Sequence, residues 1–417
     1  MSALAPSPTM EDSRHVAWLR SAVALALFFG LAHCPNLWTS DRTYPLTPVW
    51  NALPPLPPVL NRIWFDGLLG LTLALALWPR GWLAWVVVVV SGTLSLWDQS
   101  RWQPWFYQYW WMLVALGESS VSGWLGRSTE PGIASTVSTD TPLSPSRPSA
   151  HSHLGLNLCL LILGLTYFWS GLQKCNPAFF QTVYPWFIEK ILPKLPAALQ
   201  NLVEGAAWTV PLLEIVLGLG MLCRPVQWLA LLGAMVMHLF ILWCLGPWGH
   251  NWNTVVWPWN VAMILCCLIL IGHAGKTSGR DLLWPRSRKH ALILLLFGVM
   301  PFFSFIGLWD KYLSAALYSG NTLQAWVRVS AEASQNLPAN LKGGLIPLQN
   351  GWSEVDTFSW SISELNVPPY PEPRIFRSMA RQVRRFVGPL GKVELVILLG
   401  TDPATGERVY LREEVPP

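Results

Sequence analysis

The sequence predicts an all-α polytopic membrane bundle of about nine transmembrane helices, followed by a small C-terminal α+β extramembrane domain. Three observations predict it. Hydrophobic residues make up 52% of the 417-residue chain and charged residues only 12%, about half the charged share of soluble domains. The apolar residues are gathered into runs near the length that spans a bilayer. The 27 Trp cluster at the ends of those runs, where amphipathic rings favour the membrane interface.

In chain order, the first membrane half (1–118) holds four spans, near 16–34, 63–78, 82–97 and 104–117. The stretch DRTYPLTPVWNALPPLPPVL after the first span is too rich in proline to stay helical for long. Pro79-Arg80-Gly81 makes the tight turn between the second and third, and Pro104 suits the first turn of the fourth. Residues 119–152 are rich in Ser, Thr and Pro and read as a disordered linker. The second half (153–309) holds five spans, near 154–172, 208–223, 226–246, 254–272 and 290–308. The amphipathic, proline-interrupted segment after the first of these is placed on the membrane surface. In the C-terminal domain (310–417), PRIFRSMARQVRRFV reads as a short basic helix ended by Gly388-Pro389. KVELVILL and ERVYLREE read as two strands joined by the turn-rich GTDPATG.

Charge sets the orientation. With nine spans, Arg14, Arg80, Arg127, Arg147, Arg224, Lys276, Arg280, Arg286, Arg288 and Lys289 fall on one side, which should be cytoplasmic. The N-terminus is then cytoplasmic and residues 310–417 extracytoplasmic. The net charge of +5 is read as topology, so the partner is the lipid bilayer and not nucleic acid. Glu11 and Asp12 precede the first run and no clear cleavage site follows it, which argues against a signal peptide. The seven Cys are scattered without a CxxC, so neither a thioredoxin-type pair nor a zinc site is signalled.

Glu214 and His238 each sit inside an apolar run. An ionisable group in hydrocarbon costs ~3 kcal/mol or more unless paired or wetted, which makes both functional candidates. They flank the turn at Arg224-Pro225 and lie roughly 16 and 20 Å from that membrane face, close enough in depth to pair. The bland readings are a Glu bonded to a carbonyl freed by Pro211 and a neutral packing His. Lys174, at the outer end of its span, is either a desolvated base or a snorkelling side chain. Asp98 and Arg101 are three apart and suit a local ion pair at a helix mouth. Asn253 and Asn260 begin the eighth span on the same side. Together these groups predict an outer-leaflet vestibule: Lys174, Glu214 and His238 handle protons, while Asp98, Arg101, Asn253 and Asn260 bind a polar headgroup. No candidate ligands show metal spacing, so no metal site is expected. No Walker, GxGxxG or GxSxG motif occurs.

YFWSGLQKCNPAFF, with Ser170-Gly171 and Lys174 at the end of a span, is similar to the DoxX-like pattern. DQSRWQPWFYQY and a spanning His resemble bacterial relatives of the HTTM membrane domain, shared with vitamin K-dependent gamma-glutamyl carboxylase. The resemblance covers roughly residues 16–310. It implies a bacterial inner-membrane protein, a quinone-like lipid cofactor, and Lys174 and His238 at the places of the carboxylase's base and its polar partner. The short tail departs from the carboxylase and argues against peptide carboxylation. Absence of CxxC weakens a direct thiol role of the DoxX kind. Two classes stay open: a quinone-linked redox or carboxylase-like membrane enzyme or subunit, and a non-enzymatic scaffold or assembly subunit whose tail docks an extracytoplasmic protein partner. A transporter is a weaker third, since the halves show no paired broken helices.

Overall fold

Proline marks where several helices start. Pro58, Pro104 and Pro373 each occupy a first helical turn, where the missing N–H has no intrahelical partner to lose. The computed structural model describes residues 8–117, 148–389, 391–401 and 408–416. Its principal helices in the apolar part are α1 (Pro8–His33), α2 (Pro58–Leu77), α3 (Gly81–Ser95), α4 (Pro104–Leu116), α5 (Pro148–Lys174), α6 (Ala197–Gly205), α7 (Thr209–Leu222), α8 (Gln227–Leu245), α9 (Val256–Ile271) and α10 (Arg288–Ile306). The last of these has a π-helical middle at Leu294–Val299. Residues 119–147 of the expected linker lie outside the described residues, and 148–152 open α5.

Among the described residues, α1, α2, α5, α8 and α10 are long and apolar enough to cross a membrane; α6 and α7, bent by 66°, add a sixth if taken as one broken span. The sequence expectation of nine is not reached on length and composition. α3 and α9 are apolar but shorter, and α4 shows why length alone misleads. Its 13 residues rise only about 20 Å, short of a ~30 Å hydrocarbon layer. Every residue of α4 except Trp110 is buried, so protein rather than lipid surrounds it. Its terminal carbonyls are met by protein donors: Arg20 Nε on Leu116 O at 2.8 Å, Trp85 Nε1 on Gly117 O at 2.6 Å and Lys289 Nζ on Ala115 O at 2.9 Å. Two cations at a helix C-terminus also complement its dipole.

The surface segment after α5 is broken into short pieces, as its prolines require, and leaves Leu199 and Leu202 exposed. The tail exceeds its expectation. A five-stranded antiparallel sheet has the order β2-β3-β1-β4-β5. The strands are β1 (Gln324–Ser330), β2 (Leu345–Pro347), β3 (Trp352–Val355), β4 (Val393–Thr401) and β5 (Arg408–Glu414). The two expected strands are β4 and β5; most of the GTDPATG connection lies outside the described residues. The central strand β1 alternates buried Ala325, Val327 and Val329 with half-exposed neighbours. α11 (Thr357–Leu365) and α12 (Pro373–Val387) follow, the latter being the expected basic helix. It buries Ile375, Phe376, Met379 and Val383. Arg384 ties its last turn to the chain end through Val415 O at 2.7 Å.

This domain sits on one end of the bundle. The Glu364 carboxylate accepts from Thr43 Oγ1 at 2.7 Å, Tyr44 N at 3.0 Å, Trp360 Nε1 at 2.8 Å and the Thr43 backbone N–H. Asn366 Nδ2 donates to His33 O and to Thr254 Oγ1, both at 2.8 Å. Arg374 reaches Gln99 and Pro48 O. The loops after α1, α3 and α8 therefore share one end with the tail, and Asp12 near the start of α1 lies at the other.

Beside this junction, Glu372 is pushed up to about 7 by burial and by the nearby Asp310 carboxyl, with Arg374 opposing. The folded-state value is raised above the ordinary 4.5, so the native state holds the extra proton and stability falls as pH rises through that window. Glu372→Gln should match wild type near pH 4.5 and melt higher than wild type above pH 7. Parallel thermal profiles at both pH values would count against this.

Candidate functional site

The site begins with glycine. A Cβ on Gly171 would lie 2.5 Å from Pro211 O, and one on Gly218 would lie 2.5 Å from Gly164 O and from Phe168 N. These contacts bring the backbones of α5 and α7 together, as small residues do in membrane helix pairs. Next to the Gly171–Pro211 contact of these antiparallel helices, the Lys174 side chain of α5 reaches back one turn, past Ser170, to Glu214 of α7. Lys174 Nζ is 2.8 Å from Glu214 Oε2 and 2.6 Å from Ser170 Oγ. Both charged side chains are at most 10% exposed.

A second polar group lies further along α5. Asn260 Nδ2 donates to Val256 O at 2.7 Å, which turns its Oδ1 toward His238 Nδ1, also at 2.7 Å. Nδ1 therefore carries the hydrogen, and the free lone pair of Nε2 accepts from Tyr167 Oη–H at 2.6 Å. The relay runs Tyr167, His238, Asn260 across α5, α8 and α9. Tyr167, Ser170 and Lys174 are spaced three and four apart, so they share one face of α5.

Both groups line one cavity of about 790 Å³. Its walls are mostly aliphatic and aromatic, with Gln108 and Tyr318 among the polar exceptions. Trp169 Nε1 in this wall is buried and has no hydrogen-bond partner among the described residues. Leu213, Leu229, Leu232 and Val236 line the cavity too and are each at least 45% exposed, so it reaches the outer, apolar surface of the α7–α8 hairpin. Size and character suit a lipophilic ligand with a polar head.

The sequence-predicted residues sort unevenly onto this site. Lys174, Glu214, His238 and Asn260 all line the cavity. Glu214 and His238 do not pair with each other: they sit at similar depth, but α5 takes each side chain separately. Asn253 does not line the cavity itself; it is buried and donates through Nδ2 to Tyr318 Oη, which does, at 2.7 Å. Asp98 and Arg101 do not join the cavity and do not form the expected i,i+3 pair. Asp98 is bonded to Arg42 and caps Ser100 N at 3.0 Å. Arg101 is fully buried and donates to Leu37, Trp38 and Leu94 carbonyls. A guanidinium inside protein finds its acceptors on helix ends, so both residues organise the α3–α4 corner. Tyr167, Ser170 and Gln108 were missed, although the spacing of Tyr167, Ser170 and Lys174 on one helical face was readable. All seven cysteines are free.

No family model, curated protein or solved structure matches this chain. The arrangement offers a buried ammonium–carboxylate pair and a hydroxyl–imidazole–amide relay on one apolar chamber. Such groups can bind a carbonyl-bearing head and pass protons to it.

Proposed function

We propose that this chain is a multi-pass membrane protein that takes a quinone-like lipid into the chamber between α5, α7, α8 and α9. The observation that carries this reading is the convergence of Lys174–Glu214 and Tyr167–His238–Asn260 on one largely apolar cavity. A quinone ring reduced at that point consumes protons at its carbonyl oxygens. The Lys174 ammonium is the donor at hand, and Glu214, after taking a proton from solvent, returns it to the lysine; the Tyr167 hydroxyl, held by His238 Nε2, becomes the second donor once solvent protonates that nitrogen. Electrons would come from a separate donor protein. The DoxX-like and HTTM-like features around Lys174 and His238 agree with this reading, and so does a lateral entry from the bilayer.

The same proposal includes the topology. Nine chain passes, with α3, α4 and α9 completing the short ones, put the N-terminus in the cytoplasm and the tail outside a bacterial inner membrane. Arg14, Arg80, Arg224, Lys276 and Lys289 lie at the end away from the tail, which supports that orientation.

The test is quinone extraction from the protein isolated in native lipid particles, comparing wild type with Glu214→Gln/His238→Ala. Bound quinone in wild type and its loss in the variant are expected. No quinone in either sample would overturn the reading and return weight to a scaffold whose tail recruits a partner.

A further inference from the structure

At the end of the bundle away from the tail, three ligand-type side chains meet. Asp12 comes from α1, His153 from α5, and His273 from the turn after α9. Their candidate ligand atoms all lie within 4.8 Å of one another. Asp12 Oδ2 is 2.7 Å from His153 Nε2, and Asp12 Oδ1 is 3.8 Å from His273 Nδ1. His153 and the Lys174 pair are both on α5, 21 residues apart, so at 1.5 Å per residue this cluster lies roughly 31 Å from the chamber.

The hydrogen bonds around the cluster leave something missing. Asn157 Oδ1 accepts from Thr277 Oγ1 at 2.6 Å and lies 2.8 Å from His273 Nε2, which Thr277 Oγ1 also approaches at 3.2 Å; with the amide oxygen on that side, Nε2 carries the hydrogen. That leaves Nδ1 with a bare lone pair facing the Asp12 carboxylate, acceptor against acceptor. Neither Asp12 oxygen nor His273 Nδ1 has a hydrogen bond of acceptable geometry among the described residues, and all three atoms are buried. Asp12 is 1% exposed and His273 fully buried. Two facing buried acceptors call for a cation between them. Lys276 Nζ, 3.6 Å from Asp12 Oδ1, answers part of that charge, but it is one-third exposed and also reaches Glu11 at 4.0 Å.

We propose that Asp12, His153 and His273 bind a first-row divalent cation, with zinc as the reference ion. Two imidazoles and one carboxylate suit zinc or iron rather than calcium or magnesium. Tetrahedral zinc separates its ligand atoms by about 3.4 Å, between the short and long distances here, so small side-chain shifts complete the set. Three protein ligands leave one coordination position open. Asn157 holds His273 in the ligating tautomer, as amide and carboxylate partners do in metal sites. In the sequence the three ligands are isolated residues on distant helices, which is why no spacing announced them.

The full-length protein in detergent, stripped with chelator, reloaded with zinc and desalted, should retain about one zinc per chain. Asp12→Asn and His273→Ala should retain almost none, and Asn157→Ala should bind about tenfold more weakly in competition with a coloured chelator. Lys276→Gln should bind at least as tightly as wild type, because it removes the competing cation. Melting curves in chelator check that each variant folds. Should the two buried variants misfold, His153→Ala, whose side chain is 42% exposed, reads the same loss. Wild type without stoichiometric zinc, or equal zinc in wild type and His153→Ala, overturns the site and makes the cluster a proton-sharing Asp–His pair.

Discussion

Lys174→Met is expected to cost about 3–5 kcal/mol of stability, because it leaves the Glu214 carboxylate buried and without its partner. Glu214 is only 7% exposed at its side chain and faces an apolar chamber. Ser170 Oγ, 2.6 Å from Lys174 Nζ, is too weak a partner to replace an ammonium. The double variant Lys174→Met/Glu214→Gln removes both charges and should recover most of the loss. A neutral pair of similar volume costs little more than a native ion pair once desolvation is counted. The measurement is denaturant or thermal unfolding of the solubilised protein for both single variants and the double. Equal stability of Lys174→Met and wild type would mean that water reaches Glu214 freely, and the chamber could not then be a dry proton-handling site. Bound quinone should also be lost in Lys174→Met, since a proton donor and a hydrogen-bonding cation go together.

Gly218→Ala should be nearly as damaging, at about 3 kcal/mol, through packing alone. Its new Cβ would meet Gly164 O at 2.5 Å and Phe168 N at 2.5 Å. Both are backbone atoms of α5, so no rotamer change can relieve the clash and the helices must separate. Separation draws Glu214 away from Lys174, so any quinone that wild type retains should be lost together with stability. Gly70→Ala in α2 is the control. Nothing lies within 4 Å of a Cβ built there, and alanine should stabilise the helix by about 0.5–1 kcal/mol. If the two alanine variants melted alike, the backbone contact between α5 and α7 would not be what holds the site.

Some of the site was legible because burial of charge is costly wherever it occurs. Glu214 and His238 stood out as ionisable groups inside apolar runs and Lys174 as one at the outer end of a span, and all three line the cavity. Their pairing was not legible. Depth along a hairpin suggested Glu214 with His238, but depth says nothing about rotation, and the facing helix α5 supplied Lys174 and Tyr167 instead. Asp98 and Arg101 show the same limit in reverse. Their i,i+3 spacing offered a pair, while the fold handed Asp98 to Arg42, 56 positions away, and Arg101 to three carbonyls. Strand β1 was hidden because its partner strands β3 and β4 are remote in the chain, and AWVRV alone is too short to announce a sheet centre.

Hydropathy, proline placement and tryptophan position determined by themselves that the chain is a helical membrane protein with a mixed tail, because those signals are local to each segment. The length of α4, the partners of every buried charge, the cavity and the Asp12–His153–His273 cluster were decided only in three dimensions. They depend on which faces of distant helices meet, and that is set by backbone approach at Gly164, Gly171 and Gly218 and by the docking of the tail on Glu364 and Asn366.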